Sequence, residues 1–245
     1  MADQIIAIAQ PTFLGWAGWF DIADQVDCLI LLDDVVFSKQ SWQQRNRIRT
    51  REGLSYLTVP VRTAGRLGQL IVDAELTGTQ FVEKIIRTVS QNYSRAAHCA
   101  NLFPEFCEIL AQGAASGRLC ELNCSLIEWF LSRLDVRTPV VRSSKLGVEG
   151  KRGAYVAKLC EAMGASRYLS PAGAEEYLTE DQAEFSSRSV RVELHVYEHP
   201  VYTQCFEPFI PFASVLDLLL NEGAEAAAII RSGRRLSRPL GSHSA

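Results

Sequence analysis

Three apolar runs near the start of the chain each meet polar, aromatic or cationic residues at one end, and this pattern constrains the fold more than any other feature. Ile5-Ile-Ala-Ile-Ala9 stops at Gln10-Pro11, and Cys28-Leu-Ile-Leu-Leu32 stops at Asp33-Asp34. Tyr56-Leu-Thr-Val-Pro-Val61 follows the cationic cluster Arg45-Asn-Arg-Ile-Arg49. Short unbroken apolar runs of this kind read as strands buried on both faces, which calls for a parallel sheet covered by helices. In such sheets the chemistry collects at the carboxyl ends of the strands. Between the first two runs, Trp16, Trp19, Phe20 and Ala23 recur at helical spacing and predict one short helix packed on the sheet.

The same reasoning predicts sheet strands at residues 140–142 and 168–170, joining those at 5–9, 28–32 and 56–61. A short strand is expected at 70–72 and a half-buried one at 191–197. Helical periodicity runs from a cap at Thr77 or Thr79 to about Gln91, then over 102–115 and 119–134. It predicts an all-helical section at about 78–135, an insertion or cap beside the sheet. Lys151-Arg152 opens a helix that ends at Gly164, so residues 138–170 read as a right-handed βαβ unit. Further helices are expected at 213–220 and 224–230. One α/β domain is expected over residues 1–232, and the tail 233–245, poor in apolar residues, is expected to be disordered.

The 245 residues, 47% hydrophobic and 22% charged, suffice to bury a sizeable core. A net charge of −3 gives no basis for overall electrostatic attraction to nucleic acid or membrane. No apolar run approaches the roughly 20 residues of a membrane span. Met1-Ala-Asp-Gln4 lacks a basic stretch and runs straight into a strand, so no signal peptide is expected and a cytoplasmic location is. The seven cysteines are scattered without a paired CxxC, which predicts reduced core thiols and no zinc site.

Candidate functional residues concentrate where strands end. Gln10 closes a buried strand with an amide that needs partners. Trp16 stands at a helix start behind Pro11 and Gly15, where backbone can approach a ligand closely. Lys39, Arg45 and Arg47 can grip a phosphate or carboxylate, and Asn46 can recognise a group with both donor and acceptor. Ser144 and Lys151 stand where an anion would bind beside the later βαβ unit. Tyr202 and Gln204 follow the 191–197 strand, and Asp217 lies inside an apolar helix, where a carboxylate must be satisfied or face a site. Asp33 and Asp34 are the candidate catalytic acids. Side chains alternate along a strand, so only one of the pair faces the cleft. Asp33 is taken as the acting one and Asp34 as tied structurally. Gln10, Asp33, Asp34, Asn46 and Arg47, with Ser144 or Lys151, are expected to line a single cleft. No metal ligand set is assigned.

Several motifs, in order, resemble the WbqC-like proteins: Gln10-Pro-Thr-Phe-Leu-Gly-Trp-Ala-Gly-Trp-Phe20, Asp33-Asp-Val-Val-Phe37, Trp42-Gln-Gln-Arg-Asn-Arg-Ile48, Leu57-Thr-Val-Pro-Val61, Gly164-Ala-Ser-Arg-Tyr-Leu-Ser170 and the late run Ser214-Val-Leu-Asp-Leu-Leu-Leu-Asn-Glu-Gly223. One departure is Gly15, where that family more often has proline; it loosens the loop and leaves its side-chain chemistry. The resemblance implies a biosynthetic enzyme from surface-polysaccharide or specialised-metabolite gene clusters, and attachment of an amino acid, with glycine named, has been suggested for some members. A fainter likeness of fold joins the stretch around Phe13-Leu-Gly-Trp16 and the acids after the second strand to the nucleotide-binding half of HIGH-motif nucleotidyltransferases and synthetases. The fold it implies is α/β, a Rossmann-like (HIGH-type nucleotide-binding-like) sheet with a helical insertion or cap. Both histidines of that motif are absent here, which weakens adenylation.

Three functions compete. The first is an acyl- or aminoacyl-transferase forming an amide on a sugar or small amine. An Asp would act as base, Arg45, Arg47 and Lys151 would hold the phosphate-bearing part of the donor, and Gln10 and Asn46 would orient the acyl group. No Cys or Ser nucleophile motif is present, so direct attack is expected. Its partners would be a small-molecule substrate and an aminoacyl-tRNA or carrier-bound donor, with no cofactor assigned. The second is an ATP-dependent ligase or nucleotidyltransferase with Mg²⁺ on Asp33 and Asp34. The third is a non-catalytic module that binds a nucleotide-sugar or an aminoacyl-tRNA.

Overall fold

The computed structural model describes residues 3–241. β1 (Ile5–Ala9), α1 (Ala17–Ala23) and β2 (Cys28–Leu31) come first. An antiparallel hairpin follows, β3 (Arg45–Thr50) and β4 (Gly53–Thr58), then three helices, α2 (Gln80–Tyr93), α3 (Cys99–Ala115) and α4 (Leu119–Arg133). The chain returns through β5 (Val140–Arg142), α5 (Arg152–Ala162) and β6 (Arg167–Ser170). Two short helices, α6 (Glu175–Glu180) and α7 (Gln182–Ser186), lead to β7 (Arg191–Leu194), and α8 (Val215–Glu222), α9 (Ala226–Ser232) and β8 (Arg238–Pro239) come last.

The central sheet has the order β5-β2-β1-β6-β7-β8, with the first five strands parallel and β8 antiparallel. Alternate residues of its inner strands enter two different cores. Ala7, Leu29 and Leu31 pack with Phe20, Leu126 and Leu216 on one face. Ile6, Ile8 and Ile30 pack with Val156, Leu159 and Phe185 on the other. Burial on both faces is why these strands read as unbroken apolar runs. From β1 the chain builds outward to β2 and β5 on one side, then to β6 and β7 on the other. The loops leaving β1, β2 and β5 therefore gather at one edge of the sheet.

Three expectations are corrected. The run at 56–61 is no strand of the central sheet: β4 pairs with arginine-rich β3 in a separate two-stranded sheet. Only one face of it is buried, with Leu57 inside and Tyr56 at 47% exposure, whereas a central parallel strand must be apolar on both. The stretch 70–72 contributes a single bridge, Val36 to Leu70, in a turn. The tail from Gly233 is ordered as far as Gly241, because β8 pairs with β7 and Arg234 reaches the wholly buried Asp21 at 2.9 Å; residues 242–245 lie outside the described residues.

Candidate functional site

The loop leaving β1 is fixed by amides from three directions. Asn46, buried on β3, donates to the carbonyls of Phe13 (3.1 Å) and Leu14 (2.8 Å) and accepts the N–H of Arg47. Asn123 of α4 donates to the carbonyls of Pro11 (3.0 Å) and Gln43 (2.8 Å). At the other end, the N–H of Val215 bonds to the carbonyl of Gly15 at 2.8 Å, tying α8 to the same loop. Asn46 is thus a brace whose hydrogen-bonding groups are spoken for. Gln10 is exposed and accepts the side-chain amide of Gln43 at 2.8 Å.

This bracing shapes a pocket of about 220 Å³ walled by Trp16, Trp19, Trp42 and Phe212, with Thr12, Asn46 and Arg47. Gly18 makes it possible: a Cβ there would lie 2.3 Å from the indole of Trp16. Two residues of the wall each carry a buried donor without a partner, Nε of Arg47 and Nε1 of Trp19. Buried N–H groups rarely stay unsatisfied. The guanidinium of Arg47 lies 5.3 Å from the centre of the Trp42 ring.

The two acids part company. Asp33 is wholly buried and accepts Nε–H of Arg142 (2.6 Å), the N–H of Ser144 (3.0 Å) and the Ser144 hydroxyl (2.8 Å). Burial pushes its pKa up, but these donors outweigh that and hold it below the ordinary carboxylate value. Asp34 is half-buried and accepts hydroxyl protons from Ser143 (2.6 Å) and Tyr155 (2.5 Å). It lines a wider depression of about 550 Å³ with Lys151, Tyr155, Val36 and Leu70. Burial, then the Asp34 carboxylate, raises the Tyr155 hydroxyl well above its ordinary value, so it remains a donor. The assignment made from sequence is therefore reversed: Asp33 is the tied carboxylate and Asp34 the open one.

The single cleft is also replaced by two depressions that share no wall residue. Asn46 and Arg47 meet Trp16 in the first, and Asp34 meets Lys151 in the second. Ser144 spends its N–H and hydroxyl on Asp33 and has none left for an anion. Lys39 is exposed, and Arg45 lies over the ring of Tyr56 at 4.5 Å. Asp217 is buried and accepts hydrogen bonds from Tyr93 (2.7 Å), Tyr202 (2.6 Å) and Gln204 (2.9 Å). Gln204 in turn accepts the N–H of Ile210 at 2.9 Å, which anchors the loop carrying Phe212. Tyr202, Gln204 and Asp217 thus hold the loop that carries one wall of the first pocket. Among the described residues, no three of His, Cys, Asp or Glu stand together as a metal site, and no helix is long and apolar enough to cross a membrane. Burial raises the thiols of Cys28, Cys99 and Cys205, and a hydrogen bond to Cys124, then burial, raises that of Cys120.

Sequence reasoning missed Trp42, Phe212, Tyr155 and His199. The ring of His199 stacks on Trp16 (6.1 Å, 16°) and meets Phe212 edge-on at 5.1 Å. Its Nδ1 donates to the carbonyl of Pro200 at 2.9 Å, which assigns the lone pair to Nε2, buried without a partner. Burial lowers its pKa below the ordinary 6.5. The unfolded chain therefore takes up this proton first as pH falls, so the stability contributed by neutral His199 is full above pH 6.5 and is lost as pH falls towards the folded value. Melting curves should show a loss of stability below neutral pH that is smaller in His199→Phe; equal pH slopes in the two proteins would remove His199 as the titrating group.

Residues 10–229 match the WbqC-like protein family. The chain is similar to the uncharacterized protein Rv1507c of Mycobacterium tuberculosis, with 34% identity over 231 residues that cover 94% of this chain and 99% of that protein. No solved structure matches it.

Proposed function

The chain belongs to the WbqC-like protein family, and from that premise we propose that it is a biosynthetic acyl- or aminoacyl-transferase, with glycyl transfer included, that forms an amide on a sugar or small amine. The observation that carries this reading is the aromatic pocket with its two unsatisfied donors, Arg47 Nε and Trp19 Nε1. Leaving a buried donor unpaired forfeits about 1–3 kcal/mol. A carbonyl oxygen of the acyl group would supply the missing acceptor. Donors fixed in an apolar wall also stabilise the charge that this oxygen gains when an amine attacks. At about 220 Å³ the pocket is smaller than the roughly 300–1,000 Å³ of sites that enclose drug-sized ligands. It suits a small acyl group, with the rest of the donor outside.

The new C–N bond forms as the donor's ester or thioester bond breaks; the acceptor amine, reaching from the wider depression to the acyl carbon, gives its proton to Asp34, and that proton passes on to the leaving oxygen or sulfur. Asp34 leaves the end of β2, the strand paired with β1, whose loop builds the pocket. Lys151, in the same depression as Asp34, holds the acceptor. The raised thiols favour direct attack over a covalent acyl-cysteine. The strand order supports a Rossmann-like sheet. The ligase alternative would need both acids on Mg²⁺, and the oxygens of Asp33 are already taken by Arg142 and Ser144.

Amide formation from an aminoacyl-tRNA or a carrier-bound donor, without ATP, is the expected result. Pyrophosphate release from ATP, an amino acid and Mg²⁺ would favour the ligase, and neither activity would leave a binding module. Arg47→Lys keeps the charge and removes the Nε–H. It is expected to lower kcat/KM about 10–100-fold, the range of one hydrogen bond to a charged group.

A further inference from the structure

Arg45, Arg47, Arg49 and Arg51 occupy alternate positions along β3 and just beyond it. Among the described residues none of the four pairs with a carboxylate, although Arg66, Arg142, Arg167, Arg188 and Arg234 all do. A chain of net charge −3 has acids to spare, so four neighbouring unpaired cations are not a shortage of partners. Like charges two residues apart on one strand repel each other. Arg49 is buried under the 206–208 loop, donating to the carbonyls of Phe206 (3.2 Å) and Pro208 (2.9 Å). Arg45 and Arg47 stay nearer the surface, each with its guanidinium over an aromatic ring, Tyr56 at 4.5 Å and Trp42 at 5.3 Å from the ring centre. Those rings lie 6.3 Å apart and are 47% and 48% exposed. Lys39 is exposed, three residues before Trp42, and among the described residues it pairs with no carboxylate.

Half-exposed rings backed by guanidinium groups are platforms on which flat bases stack, and the same cations bind phosphate. A purely apolar partner would need no cations there, and a cationic one would be repelled. Trp42 and Arg47 belong both to this strip and to the wall of the acyl pocket. A ligand lying along the strip therefore has one end at the pocket mouth.

We propose that the outer face of the β3–β4 hairpin binds a nucleotide bearing more than one phosphate, its base on Tyr56 and Trp42 and its phosphates on Lys39, Arg45 and Arg47, as the handle of the donor whose acyl end enters the pocket. The role as donor handle rests on the transfer reading above; the nucleotide site itself does not. The same chemistry occurs at the 3′ end of an RNA and in nucleotide-linked thioesters such as acyl-coenzyme A.

The test is direct titration of the full chain with adenosine, adenosine 3′,5′-bisphosphate, coenzyme A and a short single-stranded RNA ending in CCA, read by quenching of tryptophan fluorescence and by calorimetry. Binding of the bisphosphate, coenzyme A or the RNA, at least about 10-fold tighter than adenosine and weakened by salt, is expected. Tyr56→Leu and Arg45→Ala should each weaken it about 10–100-fold, and Tyr56→Phe, which keeps the ring, much less. Lys84→Ala, on the exposed side of α2, should change nothing. Tighter binding of the RNA assigns the handle to a nucleic-acid end, and tighter binding of coenzyme A assigns it to a thioester nucleotide. No binding at millimolar ligand, or equal affinity in Tyr56→Leu and Arg45→Ala, overturns the proposal. Nucleotide binding without amide formation in any arm would keep this site and remove the transfer reading. Amide formation from a nucleotide-free donor, with unchanged kcat/KM in both variants, would do the reverse.

Discussion

Asp33→Asn is expected to destabilise the fold by about 3–5 kcal/mol, the effect of breaking a buried ion pair on one side. The donors aimed at its carboxylate include Nε of Arg142, the N–H of Ser144 and the Ser144 hydroxyl, with the Ser143 hydroxyl and the Cys120 thiol farther off. Asn would set an NH₂ group against at least one of them, and neither a guanidinium nor a backbone N–H can turn round to accept. Arg142, at 21% side-chain exposure, would keep only Glu121 as a counter-charge. In a chain of this length each kcal/mol moves Tm by about 2–4 °C, so the loss is readable by calorimetry as well as by denaturant. The pH dependence has a definite sign. Because the folded pKa is lowered, the stability Asp33 contributes is present above the ordinary carboxylate value and is lost as pH falls through the folded one. The variant should therefore be flatter than the wild type in acid. An Asp33→Asn protein that unfolds at the same denaturant concentration as the wild type would overturn the view of Asp33 as the brace between β2 and β5.

The strands β1 and β2 were legible because a strand covered on both sides has to be apolar at nearly every position, and few other local environments ask for that; the shorter β5 and β6 were legible as brief apolar stretches, Val140-Val141 and Tyr168-Leu169, between polar residues. The stretch 56–61 imitates them in composition, but its partner is β3, an alternating Arg strand. Which strand it pairs with is a long-range fact that no local pattern carries. The tail misled for a related reason. Its arginines look solvated in sequence, yet Arg234 and Arg238 find Asp21 and Glu175, more than 200 and 60 residues away.

Within the site, the alternation of a strand led to the expectation that Asp33 and Asp34 face different surroundings, and they do differ in burial and in partners. It could not show which one is tied, because that is decided by Arg142 and Ser144, brought beside β2 by its pairing with β5. Arg45, Arg47 and Trp16 were legible as exposed or interfacial groups of distinctive chemistry. The opposite wall of the pocket that Trp16 and Arg47 line, Phe212 with His199 behind it, comes from a loop more than 150 residues downstream, held by Asp217 and Gln204. Only the density of aromatic residues there gave any local sign of it.

Asp34→Asn is expected to behave in the opposite way to Asp33→Asn, with kcat lowered about 10²–10⁴-fold, the usual contribution of a general base. Stability should fall by no more than about 1 kcal/mol, because the two groups that contact this carboxylate are hydroxyls, of Ser143 and Tyr155, and a hydroxyl can either donate or accept. Asn therefore keeps the shape and both contacts while losing the lone pair that takes the amine's proton. KM for the donor should be unchanged, since the donor's contacts lie in the other depression. Steady-state kinetics and denaturant melts on both Asn variants separate the two roles in one experiment. Full kcat in Asp34→Asn would sink Asp34 as the base. The neutral, unpartnered Nε2 of His199, beside Trp16 and Phe212, would then be the proton acceptor to test next. A loss of stability as large as that of Asp33→Asn would show instead that both acids are braces and that the wider depression holds no chemistry.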